Sequence, residues 1–228
     1  MSVLVLLHLR FTNIRFMNIF LIAIMVANVL MSFKGFNDSM FFSKYQFHMG
    51  RFQAGEQIRI LSSAFLHADI SHLAFNMLTL YFFAPVVISY LGDIPFLIVY
   101  FGSLLVGGLL TVYFHKKDYN YSAIGASGAV TGVLYAAILL RPDMMLGLFF
   151  IVPIPAYLFG ILYLFYSIYG MKSKNDNIGH TAHFGGAIGG YLITLVIAPS
   201  LMVDHLFMVV LLTIPIIVLF IMAKMGKL

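Results

Sequence analysis

Long apolar stretches alternate with short polar breaks along this chain, and that pattern sets the elements it predicts. Seven stretches, at 16–33, 66–90, 94–114, 123–140, 145–169, 178–197 and 201–223, read as membrane-spanning helices. About 20 apolar residues in a helix cross a hydrocarbon core of ~30 Å. Membrane β-strands would read instead as alternating segments of ~10 residues, a pattern this chain lacks. The fourth stretch is short, opens on small residues from Ala123 to Ala129, and stops at Arg141-Pro142-Asp143. With a helix starting at Ser122, Ser127 would lie ~7.5 Å deep at 1.5 Å per residue. In the fifth stretch Pro153 and Pro155 kink the helix or delay its start. The segment 34–65 holds Asp38, Lys44, Arg51, Glu56 and Arg59 and is too polar to cross. It also carries Phe41, Phe42, Tyr45, Phe47 and Phe52, more rings than a solvated linker holds, which predicts a folded loop lying at the interface.

Composition strengthens the membrane reading. Hydrophobic residues make up 62% of the 228 and charged residues 9%, with a mean hydropathy of +1.00. A soluble domain carries roughly a quarter charged residues, so lipid is the solvent this surface suits. The predicted class is an all-α polytopic membrane protein. The net charge of +5 is scattered over loops, with no basic run longer than Lys116-Lys117, which excludes a nucleic-acid partner in favour of headgroup contact. The absence of cysteine excludes disulfides, thiolate metal sites and a cysteine nucleophile. No cleavable signal is expected, because Arg10 and Arg15 follow the short apolar run at 3–7 instead of preceding it.

Polar residues inside predicted spans are costly and therefore candidates for function. The second span holds His67, Asp69, His72 and Asn76, with His72 and Asn76 one turn apart on one helical face. The sixth holds His180 and His183, also on one face. Gly186 and Gly190 follow on the His183 face and Gly185 and Gly189 widen that strip, while Gly128 and Gly132 accompany Ser127 in the fourth span. Small residues at such spacing let membrane helices approach backbone to backbone. A serine on one helix can then reach a ring nitrogen on the next, the ~3 Å a nucleophile–base pair needs.

Three ordered motifs carry a resemblance. Gly125-Ala126-Ser127-Gly128 resembles the GxSG motif of rhomboid proteases. Ala182-His183-Phe184-Gly185-Gly186, continuing to Gly190, resembles their AHxxGxxxG motif. The stretch from His67 to His72 with Asn76 resembles their HxxxxHxxxN motif, and Arg59 looks like the arginine of their WR pair. The tryptophan of that pair is Ile58 here. A tyrosine that packs on the histidine in well-known members corresponds to Thr131, so another group must hold the ring.

The resemblance implies a rhomboid-like six-helix bundle at 1–198, with 199–228 forming a seventh transmembrane helix that carries no evident chemistry. It implies a Ser127–His183 dyad, an oxyanion hole of His72, Asn76 and the Ser127 N–H, and His67 as a supporting hydrogen-bond partner. Substrates would be transmembrane segments of other proteins, unwound locally at helix-weakening residues and cleaved after small ones. No metal or organic cofactor is implied. The sixth span has no Asp or Glu to complete a triad. The family topology puts the N-terminus in the cytoplasm and the site toward the outer face of the cell membrane. Loop charges vote the other way: Lys34, Lys44, Arg51, Arg59, Lys116, Lys117, Lys172, Lys174, Lys224 and Lys227 would all lie outside, against Arg10, Arg15 and Arg141 within. Three rival readings are an inactive rhomboid-like binder of membrane proteins, a metal-dependent membrane enzyme or metal transporter built on His67, His72, His180 and His183, and a plain channel or transporter.

Overall fold

The computed structural model describes residues 18–148, 152–173 and 178–228, so Arg10, Arg15 and Lys174 fall outside the described residues. Helix α1 (Ile19–Asn37) starts at Asn18, whose side chain accepts from the N–H groups of Phe20 and Leu21, and it runs on past the expected end at 33. The segment that follows is folded throughout. It comprises α2 (Ser39–Tyr45), a two-residue strand β1 (Phe47–His48), α3 (Met49–Gln53), α4 (Arg59–Ser62) and a 3₁₀ turn at Ser63–Phe65.

Then come α5 (Ile70–Leu91) and α6 (Asp93–His115), joined by Gly92 at φ 91°, a left-handed turn that suits glycine. Asp69 caps α5 by accepting from the His72 N–H, so the helix starts four residues later than the expected 66. His67 and Asp69 consequently sit in the loop ahead of it. Strand β2 (Ser122–Ala123) pairs antiparallel with β1, tying the polar loop to the entry of α7 (Ser127–Leu140). The fourth span therefore starts at Ser127 and not at 123. Residues 122–123 are held extended by that pairing, and Gly125 adopts φ 114°. Ser127 is the first residue of its helix, not the fifth.

The expected fifth span also begins late. Residues Met145–Leu148 (β3) and Val152–Pro155 (β4) pair antiparallel, and α8 (Ala156–Ser173) starts only after Pro155. Proline lacks the N–H that a helix interior requires, which favours extended backbone here. Helix α9 (His180–Ile197) follows. The C-terminal stretch breaks at His205 into α10 (Leu201–Asp204) and α11 (Leu206–Lys224) instead of running unbroken from 201.

Helix α7 is the centre of the bundle, packed against α5, α6 and α9, and every residue after Ser127 in it is buried. Fourteen residues make a helix only ~21 Å long, shorter than a ~30 Å hydrocarbon core. Among the described residues four helices, α1, α5, α6 and α11, are long and apolar enough to cross a membrane by themselves. Their outward faces carry Leu30, Phe75, Phe82, Leu109 and Phe207, all exposed, as a lipid-facing surface requires. Helix α11 packs on α8, and Tyr191 of α9 donates to the Val209 carbonyl and meets the Thr213 hydroxyl at 2.7 Å.

Two glycine seams draw the central helices together. A β-carbon on Gly186 would collide with the Gly128 carbonyl, and one on Gly190 with the Gly132 carbonyl. These α9–α7 contacts join the residues that small-residue spacing singled out. Gly185 and Gly189 do not widen that strip. They face α6, where their β-carbons would lie 2.7 Å from the Gly107 Cα and 2.8 Å from the Ser103 Cα. Two adjacent glycine pairs, Gly185-Gly186 and Gly189-Gly190, thus serve two different neighbours.

Candidate active site

Ser127 stands at the N-terminal tip of α7, where the first-turn N–H groups have no intrahelical acceptor. Its hydroxyl lies 2.6 Å from His183 Nε2 in α9. That contact depends on the seam just described, since Gly186 and Gly128 bring the two backbones together within a turn of both side chains.

The loop that delivers Ser127 is pinned from several sides. The Gly125 N–H donates to the Ser63 carbonyl at 3.0 Å, and the Ala126 N–H donates to His67 Nε2 at 3.4 Å. Because Nε2 accepts, His67 carries its proton on Nδ1 and donates to Ser32 Oγ at 2.8 Å, which in turn donates to the Phe65 carbonyl at 3.1 Å. His67 is fully buried. Burial, reinforced by repulsion from a charged His72 and opposed by Asp69, lowers its pKa to about 3, so it acts as a neutral strut.

His72, half-buried, packs edge-on against His67 with centroids 4.9 Å apart. The Ala68 N–H reaches its Nδ1 at 3.5 Å, which leaves Nε2 as the protonated nitrogen. That nitrogen lies over Gly125: a β-carbon there would meet His72 Nε2 at 2.8 Å and stand 3.6 Å from Ser127 Oγ. Gly125 is thus required twice, for its positive φ and for room under the imidazole. The Asn76 amide donates one N–H to the His72 carbonyl at 2.9 Å and keeps the other. A small cavity of about 50 Å³ adjoins Ser127, lined in part by Ile124, Gly125, Gly128, Leu104, Gly108 and Ala182.

Arg59 lies away from this centre and is almost wholly buried. It donates to the Ser43 and Gln46 carbonyls at 3.0 and 2.7 Å and pairs with Glu56 at 2.6 Å. It locks the polar loop over the bundle. Ile58, where the family places tryptophan, is exposed.

Sequence reasoning missed Tyr163. From α8 it stacks on the His183 ring, centroids 5.7 Å apart at 28°, with its hydroxyl 2.8 Å from Nδ1. One tyrosine among several in the fifth span, it carries no distinguishing signal in the sequence. Thr131 donates to the Ser127 carbonyl at 2.7 Å. The four histidines weighed as metal ligands form two separate pairs, His67 with His72 and His180 with His183. Among the described residues no group of three His, Cys, Asp or Glu could hold a metal ion.

A helical membrane bundle with a serine and a histidine in contact beneath a pinned loop defines a class of site. The Rhomboid domain model matches residues 54–200, well over half of the chain. The chain belongs to the rhomboid family. It is 30% identical over 176 residues to "RHOMBOID-like protein 12, mitochondrial" of Arabidopsis thaliana, a match covering 71% of this chain and 52% of that protein. It is 34% identical over 143 residues to "Putative rhomboid protease YdcA" of Bacillus subtilis, covering 61% and 67% of the two. It is also 32% identical over 137 residues to "Rhomboid protease GluP" of the same bacterium, covering 60% of this chain and 25% of that one. The chain thus spans about half of the Arabidopsis relative's length and a quarter of GluP's.

Proposed function

We propose that this chain is an intramembrane serine endopeptidase that hydrolyses peptide bonds in or near transmembrane segments of other proteins, with Ser127 as nucleophile and His183 as base. The observation that carries the reading is the 2.6 Å contact between Ser127 Oγ and His183 Nε2. The relatives named as rhomboid proteases support it.

In the acylation step Ser127 Oγ attacks the scissile carbonyl carbon while its proton passes to His183 Nε2. The tetrahedral intermediate then collapses, and the imidazolium returns that proton to the leaving amine. Water repeats the sequence to release the acyl group. Negative charge on the carbonyl oxygen is met by donors near Ser127: the His72 Nε2–H, the remaining Asn76 N–H and the Ser127 backbone N–H. Losing one such donor costs ~2.7–4 kcal/mol of transition-state stabilisation.

Hydrolysis needs water at the nucleophile. A central helix of 14 residues, shorter than the hydrocarbon core, leaves its serine end recessed beneath a polar loop instead of buried at mid-membrane. The substrate enters as a helix and must unwind, because a scissile carbonyl hydrogen-bonded within its own helix is not free for attack. The small cavity beside Ser127, walled largely by glycine and alanine, favours a small residue at the cleaved position. The site faces outward from the cell membrane; because several relatives are named as mitochondrial, fractionation checks that location.

The test is incubation of the detergent-solubilised protein with a single-span substrate. Cleavage by wild type, abolished in both Ser127→Ala and His183→Ala, supports the reading. Cleavage that survives Ser127→Ala, or no cleavage of any substrate in a panel of Gly/Pro-weakened helices, overturns it.

A further inference from the structure

We infer that Tyr163, backed by Thr131, holds His183 in its Nδ1–H tautomer, so that a phenol and a threonine occupy the place of the acidic third member of a triad. The inference rests on the protease reading for its consequence but not for its geometry.

For Nε2 to take the serine proton, it must be the unprotonated nitrogen, and the ring proton must sit on Nδ1. An isolated imidazole does not hold its proton there, so something must accept from Nδ1. The described sixth-span helix offers no carboxylate. The group at Nδ1 is the Tyr163 hydroxyl, at 2.8 Å. A phenol is both donor and acceptor, and by itself it does not choose: it could donate to Nδ1 and impose the wrong tautomer. Its own proton has to be drawn elsewhere.

Thr131 supplies that direction. The Thr131 side chain is a polar neighbour of the Tyr163 hydroxyl, and we direct the phenol's proton at it. The Thr131 hydroxyl donates its single proton to the Ser127 carbonyl at 2.7 Å. With that proton committed, Thr131 Oγ1 can only accept from Tyr163. The phenol proton then points at Thr131, the phenol oxygen accepts from Nδ1, and Nε2 is left to accept from Ser127.

The four groups thus form a closed, directional ring of hydrogen bonds that starts and ends on Ser127. No proton needs to leave Tyr163 during turnover. When Nε2 gains the serine proton, the imidazolium keeps Nδ1–H on the phenol oxygen, whose dipole faces the new charge. Ring stacking fixes the plane as well. Phe159, Tyr163 and His183 form a column, with interplanar angles of 13° and 28° between successive rings. Thr131 stands where better-known relatives carry a ring, and here that ring comes from α8.

The experiment compares wild type, Tyr163→Phe, Thr131→Val and Thr131→Ser in detergent, each checked for folding by its melting temperature. Tyr163→Phe keeps the stacked ring and removes only the hydroxyl. It should lower kcat roughly 10- to 100-fold with KM within about twofold, short of the ~10⁴ lost when a triad histidine takes the wrong tautomer. Thr131→Val should lose less, and Thr131→Ser should recover it. Nitrogen-15 spectra of histidine-labelled protein, with His183 signals assigned by their loss in His183→Asn, read the tautomer without any substrate. Wild type should show a protonated Nδ1, and Tyr163→Phe a mixture of tautomers. An unchanged kcat or an unchanged spectrum in Tyr163→Phe overturns the inference. Should that variant fail to fold, equal activity of Thr131→Val and Thr131→Ser overturns it. If wild type shows no Ser127-dependent cleavage, the protease reading fails and the spectra alone decide the tautomer.

Discussion

Gly186 of α9 lies against the backbone carbonyl of Gly128 in α7, and a methyl group has no room between them. The obstacle is backbone on a fully packed central helix, so it cannot rotate away as a flexible side chain would. Gly186→Ala should cost ~1–3 kcal/mol, the range for overpacking a core. In a chain of this size that lowers the melting temperature by several degrees. Gly179→Ala is the internal control, since its β-carbon would meet only the Ala182 Cβ at 3.9 Å. Thermal unfolding in detergent checks the pair, and equal melting of both variants would remove the seam from the account.

His67 gives the fold a defined acid sensitivity. Its folded pKa is about 3, below the ordinary histidine value near 6.5. Between those two values the unfolded chain binds the extra proton and the folded chain does not, so stability is full above about pH 6.5 and falls as pH drops toward 3. The slope for one such group is at most ~1.4 kcal/mol per pH unit. Gln at this position can donate to Ser32 and accept from Ala126 without titrating. His67→Gln should therefore show a shallower loss of stability between pH 6.5 and 4 than wild type. Denaturant midpoints across that range measure the difference.

Arg59 holds the loop through a fork that lysine cannot reproduce. It spans two carbonyls and a carboxylate at once, whereas an ammonium carries all its donors on one nitrogen and lacks the planar fork. Hydrogen bonds to charged groups contribute ~1.5–3 kcal/mol each, so losing one raises local opening about tenfold or more. Limited trypsin digestion, cutting at the exposed Lys44, should run correspondingly faster in Arg59→Lys. Glu56, whose carboxyl is held below its usual range chiefly by the hydrogen bond from Arg59, is solvated, and Glu56→Gln should open the loop less.

How much of this was legible in the chain follows from what each residue type constrains. Small residues at helical spacing mark where backbones can touch, so the nearness of the Ser127 and His183 helices was written in Gly128, Gly132, Gly186 and Gly190. The same spacing says nothing about which neighbour a face meets, and Gly185 and Gly189 turned out to serve α6. Hydropathy located the apolar stretches but not their starts. Residues 145–148 and 152–155 lie in a stretch as apolar as a span and yet pair as antiparallel strands, because hydropathy does not distinguish an apolar strand from an apolar helix turn. Asp69 and Gly125 moved two other starts by capping and by a left-handed turn. Tyr163 could not be read at all. Its role depends on how α8 is rotated against α9, and one tyrosine among several in an apolar stretch carries no mark of it.

The central claim is that Ser127 is a nucleophile activated by His183, and covalent labelling measures that most directly. The account predicts that a fluorophosphonate probe, applied to the folded protein in detergent and mapped by peptide mass, forms an adduct on Ser127. Labelling should vanish in Ser127→Ala and fall by orders of magnitude in His183→Ala, with both variants melting near wild type. An adduct at another residue, or labelling of Ser127 that is indifferent to His183, would contradict it.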